Sequence, residues 1–200
     1  MTQDLLWKVA FAAVMAGWML FALAFFTRRR SPQSKEKKRV SSSFGAIALQ
    51  GLGFAATWSL RRTPFTPIVP ASMPLQVLTA LVACALTVGG VWLVSTAVRT
   101  LGKQWALVAH VVEGHQLITG GPYRIVRHPI YSGMFMMMIA TGLVVGHWIG
   151  LMAGAVVFLV GTMWRVRIEE KLLIETFGSA YTAYMLRVPA LIPWKGRAPG

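Results

Sequence analysis

The chain is short of charge, and of acid above all. Charged residues make up 13% of its 200 residues, with six Asp and Glu against twenty Lys and Arg. A soluble domain carries about 25%. That shortfall, with 56% hydrophobic residues and a mean hydropathy of +0.58, excludes an ordinary water-soluble domain and indicates a membrane protein. A single cysteine, Cys84, excludes an intrachain disulfide. It sits near Leu81, Val82 and Leu86 and reads as a small buried apolar residue. Gly-x-Gly-x-x-Gly phosphate loops, a nucleophile elbow and closely spaced metal ligands are all missing, so none of those chemistries, and no bound metal, is expected. The net charge of +14 does not point to nucleic acid, because the basic residues fall in gaps between apolar runs rather than along one face. With no charged leader before the first run and no small-residue cleavage site, a removable signal peptide is not expected.

What the chain does contain is five apolar runs. They are read as the transmembrane helices of an all-α, polytopic membrane protein, one domain over residues 1–200. The runs cover 5–26, 44–60, 75–98, 130–145 and 149–163; about 20 helical residues cross the hydrocarbon core. The second run is rich in glycine (Gly45, Gly51, Gly53), which suits close helix packing. The proline-rich connection 61–74 cannot be helical throughout. Residues 99–128 read as a long polar loop, and Gly146-His147-Trp148 as a tight hairpin. From Trp164 to about Met185 the pattern turns amphipathic, and a proline-containing tail follows.

Basic residues are distributed unevenly among the gaps. Seven lie in 28–39, four in 99–128 and six from Arg165 onward; the N-terminus and the 61–74 connection share the remaining three. The positive-inside rule predicts an inner-membrane protein with its N-terminus outside and its C-terminus cytoplasmic. The 99–128 loop and the amphipathic segment then share the cytoplasmic face.

Two stretches concentrate groups able to bind something. Residues 120–133 hold Pro122, Pro129, Tyr123, Tyr131, Arg124, Arg127, His128 and three glycines. Proline is favoured in the first turn of a helix and pushes its predecessor out of helical geometry, so Pro129 is predicted to start the fourth span with His128 just outside it. The second stretch is Arg165, Glu169 and Glu170. Arg165 and Glu169 are four apart, hence on one helical face. Half of the chain's six acids lie at 169, 170 and 175, and charge at membrane depth is costly and usually functional. A plain reading stands beside each: an interfacial helix start, and a surface ion pair worth a few tenths of a kcal/mol. His110, Glu113 and His115, with Gln104 and Trp105, add polar groups without a metal-site spacing.

The blocks His115-Gln-Leu-Ile-Thr-Gly-Gly-Pro-Tyr123, Arg127-His128-Pro129-Ile-Tyr131, Arg165-x-x-x-Glu169-Glu170, Phe177-Gly178-x-x-Tyr181-x-x-Tyr184 and Pro193 occur in this order. In that order they resemble the isoprenylcysteine carboxyl methyltransferase family, integral-membrane enzymes that use S-adenosylmethionine. The resemblance covers roughly residues 101–194 and fits a compact, five-span prokaryotic member. It implies a cofactor site on the cytoplasmic face made by His110, His115, Gln116, Leu117, Ile118, Tyr123, His128, Pro129, Ile130, Tyr131 and Glu169. It also implies a substrate-contacting Arg165 and a lipid-like substrate entering sideways from the bilayer. The loop around His110 varies in the family. Ile130 replaces a serine frequent in eukaryotic members, so only its backbone or packing carries over.

The residue chemistry agrees with those roles. Glu169 can accept hydrogen bonds from ribose hydroxyls or an ammonium, and His128 and Tyr131 can hold a carboxylate or hydroxyls. Tyr123 offers an aromatic face. A carboxylate acceptor needs alignment and desolvation rather than a strong base, and a guanidinium can align it. Three alternatives remain: phospholipid-type N-methylation, an NADPH-dependent membrane reduction, and a non-enzymatic membrane scaffold.

Overall fold

Each apolar run forms a helix, and the computed structural model describes residues 3–26, 36–39, 43–68, 72–102, 110–112 and 116–193. Five helices correspond to the five runs: α1 (Gln3–Phe26), α2 (Ser43–Ser59), α3 (Met73–Leu101), α4 (Pro129–Val144) and α5 (Trp148–Phe177). Three of them, α1, α3 and α5, are long and apolar enough to cross a membrane, and α4 is a shorter apolar helix. The 17-residue α2 lies against α5, α3 against α4, and α1 against α3. Large apolar side chains such as Leu20, Leu81, Val88, Met152 and Val156 point outward, as lipid-facing positions do in a bundle whose surroundings are apolar. Cys84 is half-buried, more open than its sequence neighbours suggest.

Three elements differ from the sequence reading. The helical stretch predicted to end at Val98 continues to Leu101, so Arg99 belongs to α3 and not to a loop. The fifth span and the amphipathic segment as far as Phe177 are one 30-residue helix, because no proline or glycine interrupts 162–177. At 1.5 Å per residue α5 is about 45 Å long, well over the roughly 30 Å hydrocarbon core, so its last turns stand at or beyond the interface. It ends at Gly178, whose φ of +52° suits glycine; a separate helix, α6 (Ser179–Arg187), follows. The third difference is a small antiparallel ribbon. β1 (Glu36–Arg39) pairs with β2 (His110–Val112), Arg39 opposite His110 and Glu36 opposite Val112.

Glycine sets the close approach of α2 to α5. A Cβ at Gly53 would lie 2.7 Å from the Gly154 carbonyl oxygen, and one at Gly161 would lie 2.9 Å from that of Ala46. Gly45 packs under Trp164, whereas Gly51 faces open space and has no packing role. Between the two helices Gln50 donates to the Thr162 hydroxyl at 3.0 Å.

The far end of the bundle is closed by Arg62. Its guanidinium donates to the carbonyls of Leu143 (2.6 Å) and Gly142 (3.3 Å), which the C-terminus of α4 leaves without intrahelical partners, and to that of Gly146 in the turn beyond. It also lies over the buried Trp7 ring at 5.6 Å. Burial pulls its pKa down to about 10. This lock, and the Arg61–Gly146 bridge, tie the α2–α3 connection to the tight α4–α5 turn.

Candidate active site

At the opposite end of the bundle, α4 starts where α5 finishes its long run. A short 3-10 helix, Gly121–Arg124, leads in, and Pro129 opens α4 with His128 as its N-cap, as the sequence predicted. Pro129 is buried at the first helical position. His128 takes non-helical backbone angles, φ −124° and ψ 61°, in keeping with the restriction that a following proline imposes. From Trp148 to Glu169 the α5 axis rises by about 30 Å. Glu169 and Glu170 therefore arrive level with His128 near the end of one membrane crossing.

The meeting builds an alternating row of charge. Arg127 donates from Nε (2.9 Å) and Nη2 (2.7 Å) to Oε1 of Glu170. His128 Nε2 lies 3.2 Å from the same oxygen, and its Nδ1 lies 3.4 Å from Oε2 of Glu169. Arg165 donates from Nε to Oε1 of Glu169 at 3.1 Å, and the Tyr131 hydroxyl donates to that oxygen too. The Tyr131 ring stacks on His128 with centroids 5.8 Å apart and lies 5.4 Å from the Arg165 guanidinium carbon. His128 and Arg165 are buried, at 7% and 5% exposure. The Glu169 side chain keeps 22%.

A carboxylate can only accept, so each ring nitrogen of His128 that carries a proton has a glutamate oxygen to donate to. Burial alone would lower the His128 pKa. Hydrogen bonds to Glu169 and Glu170, with their charges, outweigh it and leave the pKa above its ordinary 6.5. His128 thus faces a glutamate with each of its ring nitrogens. Two consecutive acids project about 100° apart on a helix, the geometry that lets both flank one imidazole.

The remaining predicted residues occupy different places. Tyr123 is buried in the 3-10 helix, and its carbonyl accepts from the Tyr184 hydroxyl at 2.5 Å. Burial first, then the Glu169 charge, pushes the Tyr123 phenol well above the usual tyrosine range, and burial pushes Tyr184 up to about 12. Leu117 and Ile118 are half-buried and Gln116 is exposed on the segment entering the 3-10 helix. Ile130 packs into the core beside Phe21, Val94, Val98 and Met137. His110 lies on β2, beside α5. His115, like Gln104, Trp105 and Glu113, lies outside the described residues. Among the described residues no group of His, Cys, Asp and Glu is arranged to hold a metal ion.

Sequence reasoning undervalued Arg127, Glu170 and the segment after α6. The available signal was the twinning of Arg127-His128 with Glu169-Glu170, two cations and two anions that can interleave.

Comparison with known proteins bears on this geometry. The family described as phospholipid methyltransferase matches residues 78–180, from α3 to the start of α6. Protein-S-isoprenylcysteine O-methyltransferase B of Arabidopsis thaliana is 35% identical over 101 residues, 50% of this chain and 51% of the relative. The Schizosaccharomyces pombe protein-S-isoprenylcysteine O-methyltransferase is 31% identical over 109 residues, 52% of this chain and 45% of the relative. Methanethiol S-methyltransferase of Pseudomonas deceptionensis is 40% identical over 79 residues, 39% of this chain and 29% of the relative. The chain spans about half or less of the length of these curated relatives.

Proposed function

This chain belongs to the phospholipid methyltransferase family, and on that premise we propose that it is an S-adenosylmethionine-dependent membrane methyltransferase acting on the carboxylate of a lipid-like, isoprenylcysteine-type acceptor. The observation that carries the reading is Glu169. Its carboxylate is gripped on one side by His128, Tyr131 and Arg165, and it remains partly open on the other.

The donor set fits the cofactor. S-adenosylmethionine, when bound, supplies a methyl group on a sulfonium sulfur, and it carries an ammonium and ribose hydroxyls. The open edge of Glu169 would accept from the ammonium or the hydroxyls. Tyr123, Leu117 and Ile118 would form apolar and aromatic wall, with Gln116, His110, His115 and the backbone around Pro129 and Ile130 completing the site. Tyr131 and His128 hold Glu169 in place. Arg165, buried under the Tyr131 ring, would align an anionic acceptor. A carboxylate with a pKa near 4 is already charged at neutral pH, so the chain needs no general base; it needs to orient the acceptor and keep water out.

The bilayer supplies the acceptor sideways between helices, and all five helices α1 to α5 cross it. The basic gaps around the site support an orientation with this face in the cytoplasm of an inner membrane and the N-terminus outside. A C-terminal reporter fusion active only on the outer side would contradict that orientation.

A second reading, methylation of a small thiol, draws on the stretch 40% identical to a methanethiol S-methyltransferase; a thiolate is also an anion that Arg165 can face. The test is calorimetric titration of detergent-purified protein with S-adenosylmethionine and S-adenosylhomocysteine, then labelled-methyl transfer to a farnesylated cysteine analogue and to methanethiol. Binding with transfer to the former is expected. Transfer only to methanethiol selects the second reading. Binding of NADPH in place of either ligand, or of none of them, overturns both.

A further inference from the structure

We propose that Arg127 and Glu170 are a positioning pair: they latch the 188–191 segment to the start of α4 and so hold His128 and Tyr131 in register with Glu169. The proposal rests on the methyltransferase reading for its link to cofactor binding, but the latch itself is a matter of geometry.

The start of α4 is an unusual place for backbone. Pro129 has no N–H, and the N–H groups of Arg127 and His128 lie outside the helix. Both are taken by the chain after α6: Arg127 donates to the Pro189 carbonyl at 2.8 Å and His128 to that of Ala190 at 2.9 Å. One turn into α4, the Ser132 hydroxyl donates to the Leu191 carbonyl at 2.6 Å. This backbone run is bolted by one side chain. The Arg127 guanidinium donates to the carbonyls of Met185 (3.1 Å) and Val188 through Nη1, while Nε and Nη2 both reach Glu170. The Glu170 oxygen that receives them also faces His128 Nε2. A single guanidinium thereby connects three parts distant in sequence: the approach to α4, the acid on α5, and the end of α6 with the residue after it.

The fork is what permits this. Its planar donors serve a carboxylate on one edge and two carbonyls on the other, which a single ammonium on a flexible stem does not do. Nearby, the Tyr184 hydroxyl fastens α6 to the Tyr123 carbonyl, so residues 184–191 are held along the whole approach to α4. Arg127 and Glu170 act through His128 and are not placed against substrate or cofactor.

The experiment uses the full chain in detergent, as wild type, Arg127→Lys and Glu170→Gln. Three quantities are read: hydrogen exchange of the Arg127 and His128 amides, S-adenosylhomocysteine affinity, and methyl-transfer turnover. In wild type both amides should be protected. In Arg127→Lys they should exchange about tenfold faster or more, with cofactor affinity about tenfold weaker. Glu170→Gln, which keeps an acceptor for Arg127 but loses the charge facing His128, should weaken affinity while leaving the amides largely protected. Faster exchange in Arg127→Lys with unchanged affinity and turnover would make the latch merely structural and overturn the positioning role. Unchanged exchange would overturn the latch. If wild type binds no cofactor while its amides are protected and released in Arg127→Lys, the methyltransferase reading fails and takes the positioning role with it. If wild type binds cofactor and the variants match it, only this proposal fails.

Discussion

Arg165 and Glu169 face each other across one turn of α5, Nε to Oε1 at 3.1 Å, with the arginine 5% exposed. Spacing alone allowed an exposed surface pair, worth under about 1 kcal/mol. Burial changes its meaning. A buried pair stripped of one partner leaves an uncompensated charge, so this arrangement persists only where both members are held by further contacts, here with Tyr131 and His128.

Glu169→Gln keeps the shape of the side chain and removes the charge. If the open carboxylate edge receives the cofactor ammonium or ribose, affinity should fall by about tenfold to a hundredfold, the equivalent of roughly 1.5–3 kcal/mol for a charge-assisted hydrogen bond. Calorimetry below the melting temperature, with melting curves alongside, measures it. Unchanged affinity would reduce Glu169 to a structural anchor.

Arg165 should separate from Glu169 by step. If the guanidinium aligns the acceptor as proposed, Arg165→Ala should lower turnover far more than cofactor affinity. Arg165→Lys should rescue only partly, since it lacks the planar fork and the stacking on Tyr131. Equal losses in binding and turnover would argue against an acceptor-aligning role.

His128 sets a pH signature. Its pKa is above 6.5 in the fold: burial opposes the proton, and Glu169 and Glu170 outweigh burial. The groups around it are Arg127, Tyr131, Glu169 and Glu170. A raised folded pKa means that its contribution to stability is fully present below pH 6.5 and is lost as pH rises through the folded value. The melting temperature of wild type relative to His128→Gln should therefore be highest at mildly acidic pH and decline toward alkaline pH. A difference that stays constant with pH would show that His128 is not protonated in the fold.

The α2–α5 seam offers a test of packing independent of chemistry. A Cβ at Gly154 would lie 2.5 Å from the Gly53 carbonyl oxygen, backbone that cannot yield without parting the helices. Gly154→Ala should cost about 1–3 kcal/mol and lower the melting temperature. Gly51→Ala, where nothing lies within 4 Å, should be neutral or stabilise by up to about 1 kcal/mol through helix propensity. Similar melting temperatures for the two variants would contradict the close contact of α2 with α5.

The sequence by itself determined where the helices lie and what kind of surroundings they require. Apolar length is a local property, and so is the start of a helix at Pro129. The same is true of the i, i+4 pairing of Arg165 with Glu169, which any helix enforces. The motif blocks also carried the family. The break at Gly178 was not read from the sequence. The tertiary structure decided which side chains share a partner. Arg127 and Glu170 are 43 positions apart, and Arg127 meets the Val188 carbonyl from 61 positions away. Nothing local links them; they meet because α4 and α5 turn tightly at one end, glycines bring α2 onto α5, and Gly178 turns α6 and its tail back across the start of α4. Those placements sum many small contacts over the whole chain. The same sum decided that His128 lies between two glutamates, a matter of three-dimensional neighbours that no spacing in the sequence encodes.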